Sequence, residues 1–337
     1  MPRMMRAVRL DEVGPPENLK LVERPVPEVG PDDVLIKVGM AGLIYGDAEA
    51  RRGTYFSRTI TPWYPGREAA GVVEAVGADV TAWKPGQRVV ALILTLGCCA
   101  DYVLASTRPR PLPNGHTAPP ADIIALPDHV SFGQALVYVI NFRLGHLLFH
   151  GSSQVPSGAA VLVQGASGGM GAMVTQLAVA HGCPVIATCR RSVEEAFLRD
   201  LGADHVINVT QTDYVAAVKE ITGGKGVPFI FNGVGGETLN TDLDAIAPFG
   251  ELQAYGYVAG KQPFDLFRVG KTIALKTFAA DDFFATPMFP AATAAMGEWF
   301  RSGRLIDPGA VLPLEQVAEA NRRLDSGEVL GKIVLEP

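Results

Sequence analysis

Three glycines, Gly168, Gly169 and Gly171, follow the apolar run Val161-Leu-Val-Gln164 where a strand would turn into a helix. A backbone approaches a pyrophosphate closely only where side chains are absent, and the first turn of a helix offers free N–H groups to an anion. The stretch Gly165-Ala166-Ser167-Gly168-Gly169-Met170-Gly171 is therefore a candidate phosphate cradle, with Ala166 standing where the usual pattern has its first glycine. Roughly 20 residues further on, an NAD site places an acid that accepts from the ribose hydroxyls. Here the chain reads Thr188-Cys-Arg190-Arg191-Ser192, with no acid. Two guanidinium groups and two hydroxyls suit a 2′-phosphate, which needs positive charge and bidentate donors, so the expected dinucleotide is NADPH.

The elements around the cradle must hold it at the edge of a sheet. Val185 to Thr188 and His205 to Ile207 read as further strands, with a helix ending near Leu201, and this alternation is that of a parallel sheet. Strands at Phe229–Phe231 and Glu251–Tyr255 end in the glycine turns Gly233-Val234-Gly-Gly236 and Gly256-Tyr257, which place those residues beside the cofactor at the carboxyl edge. The first third is different. Short β-prone runs at 34–38, 71–76, 87–93 and 101–104, punctuated by Gly and Pro, suggest a small barrel. Residues 108–127 are rich in proline and polar side chains and read as a long loop or insertion; 131–149 read as one apolar helix. Near the end, 316–324 is an amphipathic helix and 332–335 a closing strand.

Composition narrows the function classes. At 337 residues and 48% apolar, the chain is long enough for two domains with a sizeable core. A net charge of −6 without a basic run argues against nucleic acid or an anionic membrane as partner, and for a small-molecule substrate. Apolar runs fall short of a membrane span and the N-terminus has no signal-peptide core, so a cytoplasmic location is expected. Cys98, Cys99, Cys183 and Cys189 form no spaced framework, and no chemistry is assigned to them.

The order of several short motifs carries a wider resemblance. They are Ala41-Gly to Arg52-Gly-Thr-Tyr55, Gly66-Arg-Glu-Ala-Ala-Gly71, Lys84-Pro-Gly-Gln-Arg-Val89, the Gly165–Gly171 turn, Leu201-Gly-Ala-Asp-His-Val-Ile207, Glu220-Ile-Thr-Gly-Gly224 and Gly331-Lys-Ile-Val334. Taken together the chain resembles the medium-chain dehydrogenase/reductase superfamily, and within it the zinc-free quinone oxidoreductases related to zeta-crystallin. Enoyl thioester reductases are near relatives, which Arg190-Arg191 and the segment 255–263 resemble. The resemblance implies an α/β protein: a GroES-like β-barrel catalytic domain from 1–137 and 283–337, and a Rossmann doubly wound parallel-sheet domain, 138–282, that binds NADPH.

It also implies a reaction, the reduction of a quinone or an activated, α,β-unsaturated double bond by hydride transfer. An enoyl thioester reductase or an NADPH-binding protein of low activity is the alternative. Zinc members of the superfamily ligate the metal with thiolate and imidazole. Here Ile44, Arg67 and approximately Val139 stand at those positions, so no metal is expected. Without one, a neutral phenol can donate to developing negative charge. Tyr55, matching the tyrosine that enoyl reductases use, is the expected catalytic residue, with Asp47 in support. Ile44, Tyr45, Tyr64 and Arg143 are expected to line the substrate pocket, Ile44 and Arg143 replacing the family's Asn and Thr. A lysine that helps bind the 2′-phosphate in several relatives aligns with Glu194. Relatives pair edge strands of their cofactor domains, and Thr272–Phe278 is the β-prone segment expected to form such a homodimer.

Overall fold

The computed structural model describes every residue except 1, 56–57, 95–96, 112–116 and 262. The chain divides into two compact units, 1–140 with 298–337, and 141–297.

The first unit begins with an antiparallel pair, β1 (Met4–Leu10) and β2 (Leu19–Pro25). Neither strand keeps a strict apolar–polar alternation, and neither stood out in the sequence; β1 buries both faces, Met5 and Ala7 in one cluster and Val8 and Leu10 in another. The long β3 (Asp33–Leu43) follows, then α1 (Tyr45–Arg52), which Gly53 closes in the left-handed region at φ 74°. Next come β4 (Glu68–Val76), β5 (Arg88–Leu92) and β6 (Tyr102–Ser106). The segment 108–127 is not simply a loop. It carries the short pair β7 (Arg110–Pro111) and β8 (Thr117–Ala118), and then β9 (Asp122–Ala125), whose two isoleucines extend the sheet beyond β5. Its residues 112–116 lie outside the described part.

The expected single helix over 131–149 is also broken. Ser131 caps α2 (Phe132–Tyr138) by accepting from the Gln134 N–H at 3.0 Å, while Gln134 returns a bond to the Ser131 N–H. The helix α3 (Asn141–His146) then runs into a wider π turn over Leu147–Ser152.

The second unit is built on six strands: β10 (Val161–Gln164), β11 (Val185–Cys189), β12 (His205–Asn208), β13 (Val227–Asn232), β14 (Ile246–Ala254) and β15 (Ala274–Thr277). Their order is β12-β11-β10-β13-β14-β15 and every pair is parallel. The helices α4 (Gly169–Ala180), α5 (Ser192–Asp200), α6 (Tyr214–Ile221) and α7 (Thr238–Ala245) make the crossovers. β10 is buried throughout, as expected of a central parallel strand covered on both faces. The order reverses between β10 and β13, the switch point at which open α/β sheets bind ligands.

After the short α8 (Asp281–Phe284) and the helix α9 (Met288–Ser302), the chain adds β16 (Ala310–Pro313), α10 (Val317–Ser326) and β17 (Ile333–Glu336) to the first unit. There β17 pairs with β3, so the last strand completes a sheet ordered β16-β17-β3-β4-β5-β9, with β6 also on β3. Leu10, Ile36, Leu43, Ile93 and Leu335 form part of its core, each 1% exposed or less.

Candidate functional site

The glycine cradle lies at the carboxyl end of β10. Gly165 turns the chain at φ +70°, Gly168 caps α4, and the Gly168 N–H donates to the Gly165 carbonyl at 3.2 Å. A Cβ at Gly171 would collide with the Gly165 carbonyl oxygen and lie 2.7 Å from the Ala166 Cα, so the helix start sits directly on the turn. Ala166, buried, and Ser167, 9% exposed, occupy the bend, while Gly168, Gly169 and Met170 are half-buried. The leading N–H groups of α4 lack intrahelical acceptors and carry the positive end of a 12-residue helix.

The second strand ends in the arginine turn. Arg190 is exposed and Arg191 half-buried. Glu194 does not replace the relatives' lysine as a phosphate donor. Its buried carboxylate accepts from the Arg190 N–H at 2.7 Å, the Arg191 N–H at 3.3 Å and the Arg191 Nε at 2.8 Å, and so sets the shape of this turn. Thr188 faces inward, donating to Gln164 Oε1 at 2.8 Å and accepting from the Gly165 N–H at 3.4 Å.

Thr188 thereby enters a buried polar network that sequence reading missed. Gln164 Nε2 donates to Asp242 Oδ1 at 2.8 Å, Tyr214 donates to the same oxygen at 3.1 Å, and Asn232 Nδ2 donates to Asp242 Oδ2 at 2.6 Å. The other end of Asn232 accepts from the Val234 and Gly235 N–H groups at 2.9 and 2.8 Å. Asp242 on α7 thus ties the ends of β10 and β13 to the glycine turn 233–236. Burial pushes its carboxyl up to about 6, against the pull of its three donors. Gly256 is held against Gly233, where a Cβ would strike the Gly233 carbonyl oxygen, and Tyr257, 39% exposed, lies under Lys261 at 5.3 Å. The sequence segment 255–263 resembling enoyl reductases includes residue 262, outside the described part.

The expected catalytic end is in the first unit. Ile44 precedes α1, and its N–H donates to Asp47 Oδ2 at 3.1 Å. Tyr55 packs over the start of this helix, its Cε2 lying 3.2 Å from where a Gly46 Cβ would be. The Arg67 guanidinium lies 5.0 Å above the Tyr55 ring, and its Nε is 3.8 Å from Asp47 Oδ1. Asp47 is 2% exposed, and burial raises its carboxyl above the usual range despite Arg67 nearby. Behind it, Lys332 donates to Glu68, both fully enclosed, and burial brings the Lys332 ammonium down to about 7. Cys98 and Cys99 pack here too, their thiols raised well above the ordinary range by burial.

The other expected pocket residues are divided between the two units. Tyr45 lies near Tyr55 in sequence and under Arg52 at 5.2 Å. Tyr64 packs on a separate cluster with Met5, Leu35 and Tyr102, beneath Arg24. Arg143 belongs to the second unit, 1% exposed, with its Nη1 on Thr293 at 3.4 Å and its guanidinium over Phe289 at 4.8 Å. Among the described residues no group of three or more His, Cys, Asp or Glu side chains is arranged to hold a metal ion.

Comparison with known proteins agrees with this architecture. Residues 30–110 match the family described as the alcohol dehydrogenase GroES-like domain, and 169–294 match that described as zinc-binding dehydrogenase. The quinone oxidoreductase of Pongo abelii is 32% identical over 99% of this chain and 98% of its own. Among solved structures, the quinone oxidoreductase of Pseudomonas syringae superposes with a TM-score of 0.85 at 28% identity, covering 99% of this chain and all of the other. A mycobacterial protein solved in complex with NADPH superposes with a TM-score of 0.84, also at 28% identity, over 99% of this chain and 100% of its own.

Proposed function

The chain belongs to the quinone oxidoreductase branch of the medium-chain dehydrogenase/reductase superfamily, and from that membership we propose a zinc-independent, NADPH-dependent oxidoreductase that reduces a quinone or an activated double bond. One observation carries the choice of cofactor: a glycine cradle at a helix start and a turn bearing two arginines follow successive strands of one parallel sheet. The cradle fits a dinucleotide, because the approach at Gly171 is closed to any side chain. Residues 165–171 would hold the pyrophosphate, Arg190 and Arg191 the 2′-phosphate, and the turns at Gly233, Val234, Gly256 and Tyr257 the remainder. When bound, reduced nicotinamide supplies the hydride.

The rest of the reaction falls to this chain's own side chains. Tyr55 donates from its phenol to the oxygen on which negative charge develops, and Asp47 fixes the start of α1 beneath it. Ile44 and Arg67 offer neither thiolate nor imidazole, so charge stabilisation here is assigned to hydrogen-bond donors and not to zinc. The unit 141–297 is taken as the cofactor domain, and β15, at the edge of its sheet with Leu275 41% exposed, as the pairing edge of a homodimer. None of the described helices is long and apolar enough to cross a membrane, which is compatible with work in the cytoplasm on a small-molecule substrate.

NADPH oxidation with 1,2-naphthoquinone and with a crotonyl thioester, each with and without a chelator, tests the reading. Chelator-resistant turnover of the quinone supports it, preference for the thioester moves the chain to the enoyl reductase alternative, and absence of turnover with either leaves an NADPH-binding protein.

A further inference from the structure

The Arg67 side chain is in an unusual position for a cation. Its main chain is fixed on both sides: Gly66, at φ +94°, turns against Cys99, and the Arg67 carbonyl accepts from the Ile93 N–H at 2.6 Å. The side chain is 18% exposed and lies between the Tyr55 ring and Asp47. Nevertheless its Nε is buried without a hydrogen-bond partner, and the guanidinium makes no hydrogen bond to any described residue; the nearest carboxylate oxygen, on Asp47, is 3.8 Å away. The Asp47 carboxylate accepts from the Ile44 N–H through Oδ2, while Oδ1, the oxygen nearest Arg67, is buried without a hydrogen-bond partner, so the two groups face each other as charges at 3.8 Å and neither fills the other's hydrogen-bonding capacity. Neighbouring Glu68 is taken by Lys332.

A guanidinium offers five N–H donors in a plane and stays charged at all accessible pH, and its geometry matches a carboxylate. When partly enclosed, such a group normally ends on an anion or a carbonyl. We propose that Arg67 is an anion-recognition residue of this site, and that it takes the carboxylate of an α,β-unsaturated acid, so that acids are bound in preference to their neutral amides. The inference extends the reading above, since it takes Tyr55 to stand at the substrate. It also gives a function to a residue that replaces a metal ligand of the zinc relatives. The competing role, neutralisation of Asp47 alone, needs positive charge but no free donors, and predicts no preference among ligands.

Calorimetric titration of the full-length protein with trans-cinnamate and with cinnamamide, both in the presence of NADP+, separates the two roles. Wild type should bind cinnamate at least about tenfold more tightly than the amide, the size of a charge-assisted bidentate contact. In Arg67→Gln that ratio should fall to about one, with affinity for cinnamamide and NADP+ unchanged, and Arg67→Lys, which keeps the charge but not the fork, should lie between. A wild type that does not distinguish the two ligands, or does not bind cinnamate, overturns the proposal, as does an unchanged ratio in Arg67→Gln. Tyr55→Phe should keep the ratio while losing quinone turnover. If wild type shows no turnover but retains a ratio that depends on Arg67, the reductase reading fails and the anion site stands.

Discussion

The guanidinium carbon of Arg67 lies 5.0 Å from the centre of the Tyr55 ring. A cation over the electron-rich face of a phenol is attracted by about 0.5–2 kcal/mol, enough to bias the ring's orientation without involving its hydroxyl. The ring is further limited by α1, where Gly46 leaves the space that Tyr55 fills. In the role proposed for Tyr55, orientation belongs to the ring and proton donation to the hydroxyl, two different parts of the same side chain.

Replacing Tyr55 by Phe separates them. The phenylalanine ring keeps its place under Arg67 and over Gly46 but lacks the donor. Loss of a comparable donor to developing charge costs about 3 kcal/mol, so kcat should fall roughly a hundredfold while NADPH affinity stays within about twofold. Steady-state kinetics and a nucleotide titration on one preparation check this; an unchanged kcat would reduce Tyr55 to packing.

The Lys332–Glu68 pair makes a separate claim about stability. Glu68 is 0% exposed and Lys332 2% exposed, so removing one partner leaves an uncompensated buried charge. Lys332→Met should cost about 3–5 kcal/mol, and Lys332→Met with Glu68→Gln should recover most of that loss. Urea unfolding of the single and double variants measures it. Equal loss in both would mean that lysine packing, and not its charge, matters here.

Much of this arrangement was legible in the sequence, and the reason differs by element. The strand β10 and the start of α4 were clear because an uninterrupted apolar run meets glycines that a close approach requires. The strands β1 and β2 were not, since neither Met4-Met-Arg-Ala-Val-Arg-Leu10 nor Leu19-Lys-Leu-Val-Glu-Arg-Pro25 keeps a strict two-residue period. Glu194 could have been read from its position four residues after Arg190, which suits a carboxylate closing onto a helix start. Asp242 and Asn232 left no such signal. Their partners come from β10, α6 and the turn after β13, and only the fold brings those together. Lys332 and Glu68 are likewise 264 positions apart.

Asp242 gives the chain a pH dependence with a definite sign. Its carboxyl is raised from 3.8 to about 6 in the folded protein, so the folded state holds this proton more tightly than the unfolded chain does. Its contribution to stability is then fully present below pH 4 and is lost as pH rises through about 6, a change on the order of 2–3 kcal/mol. Urea midpoints measured from pH 4 to 7.5 should show that decline in wild type and not in Asp242→Asn. Parallel profiles for the two proteins would contradict the assignment.

The exposed edge of the cofactor sheet bears on assembly. Among the described residues β15 pairs with β14 alone, and Leu275 on it is 41% exposed. Light scattering at micromolar concentration should give the mass of two chains, and Leu275→Lys should shift the population towards one. A monomeric wild type would remove the proposed dimer.

Coenzyme choice falls to Arg190 and Arg191, because the 2′-phosphate is the one group that distinguishes NADPH from NADH. Hydrogen bonds to charged groups contribute about 1.5–3 kcal/mol, so one productive arginine is worth roughly tenfold to a hundredfold in affinity for NADPH and little for NADH. Glu194 shapes the turn through two backbone N–H groups as well as Arg191, which leaves the main chain anchored when the side chains change. Isothermal titration of both nucleotides against wild type and the Arg190→Ser, Arg191→Ala double variant is the most direct measurement. A strong wild-type preference for NADPH that nearly vanishes in the double variant is the expected result, and an NADPH-to-NADH affinity ratio that does not change would contradict the cofactor assignment.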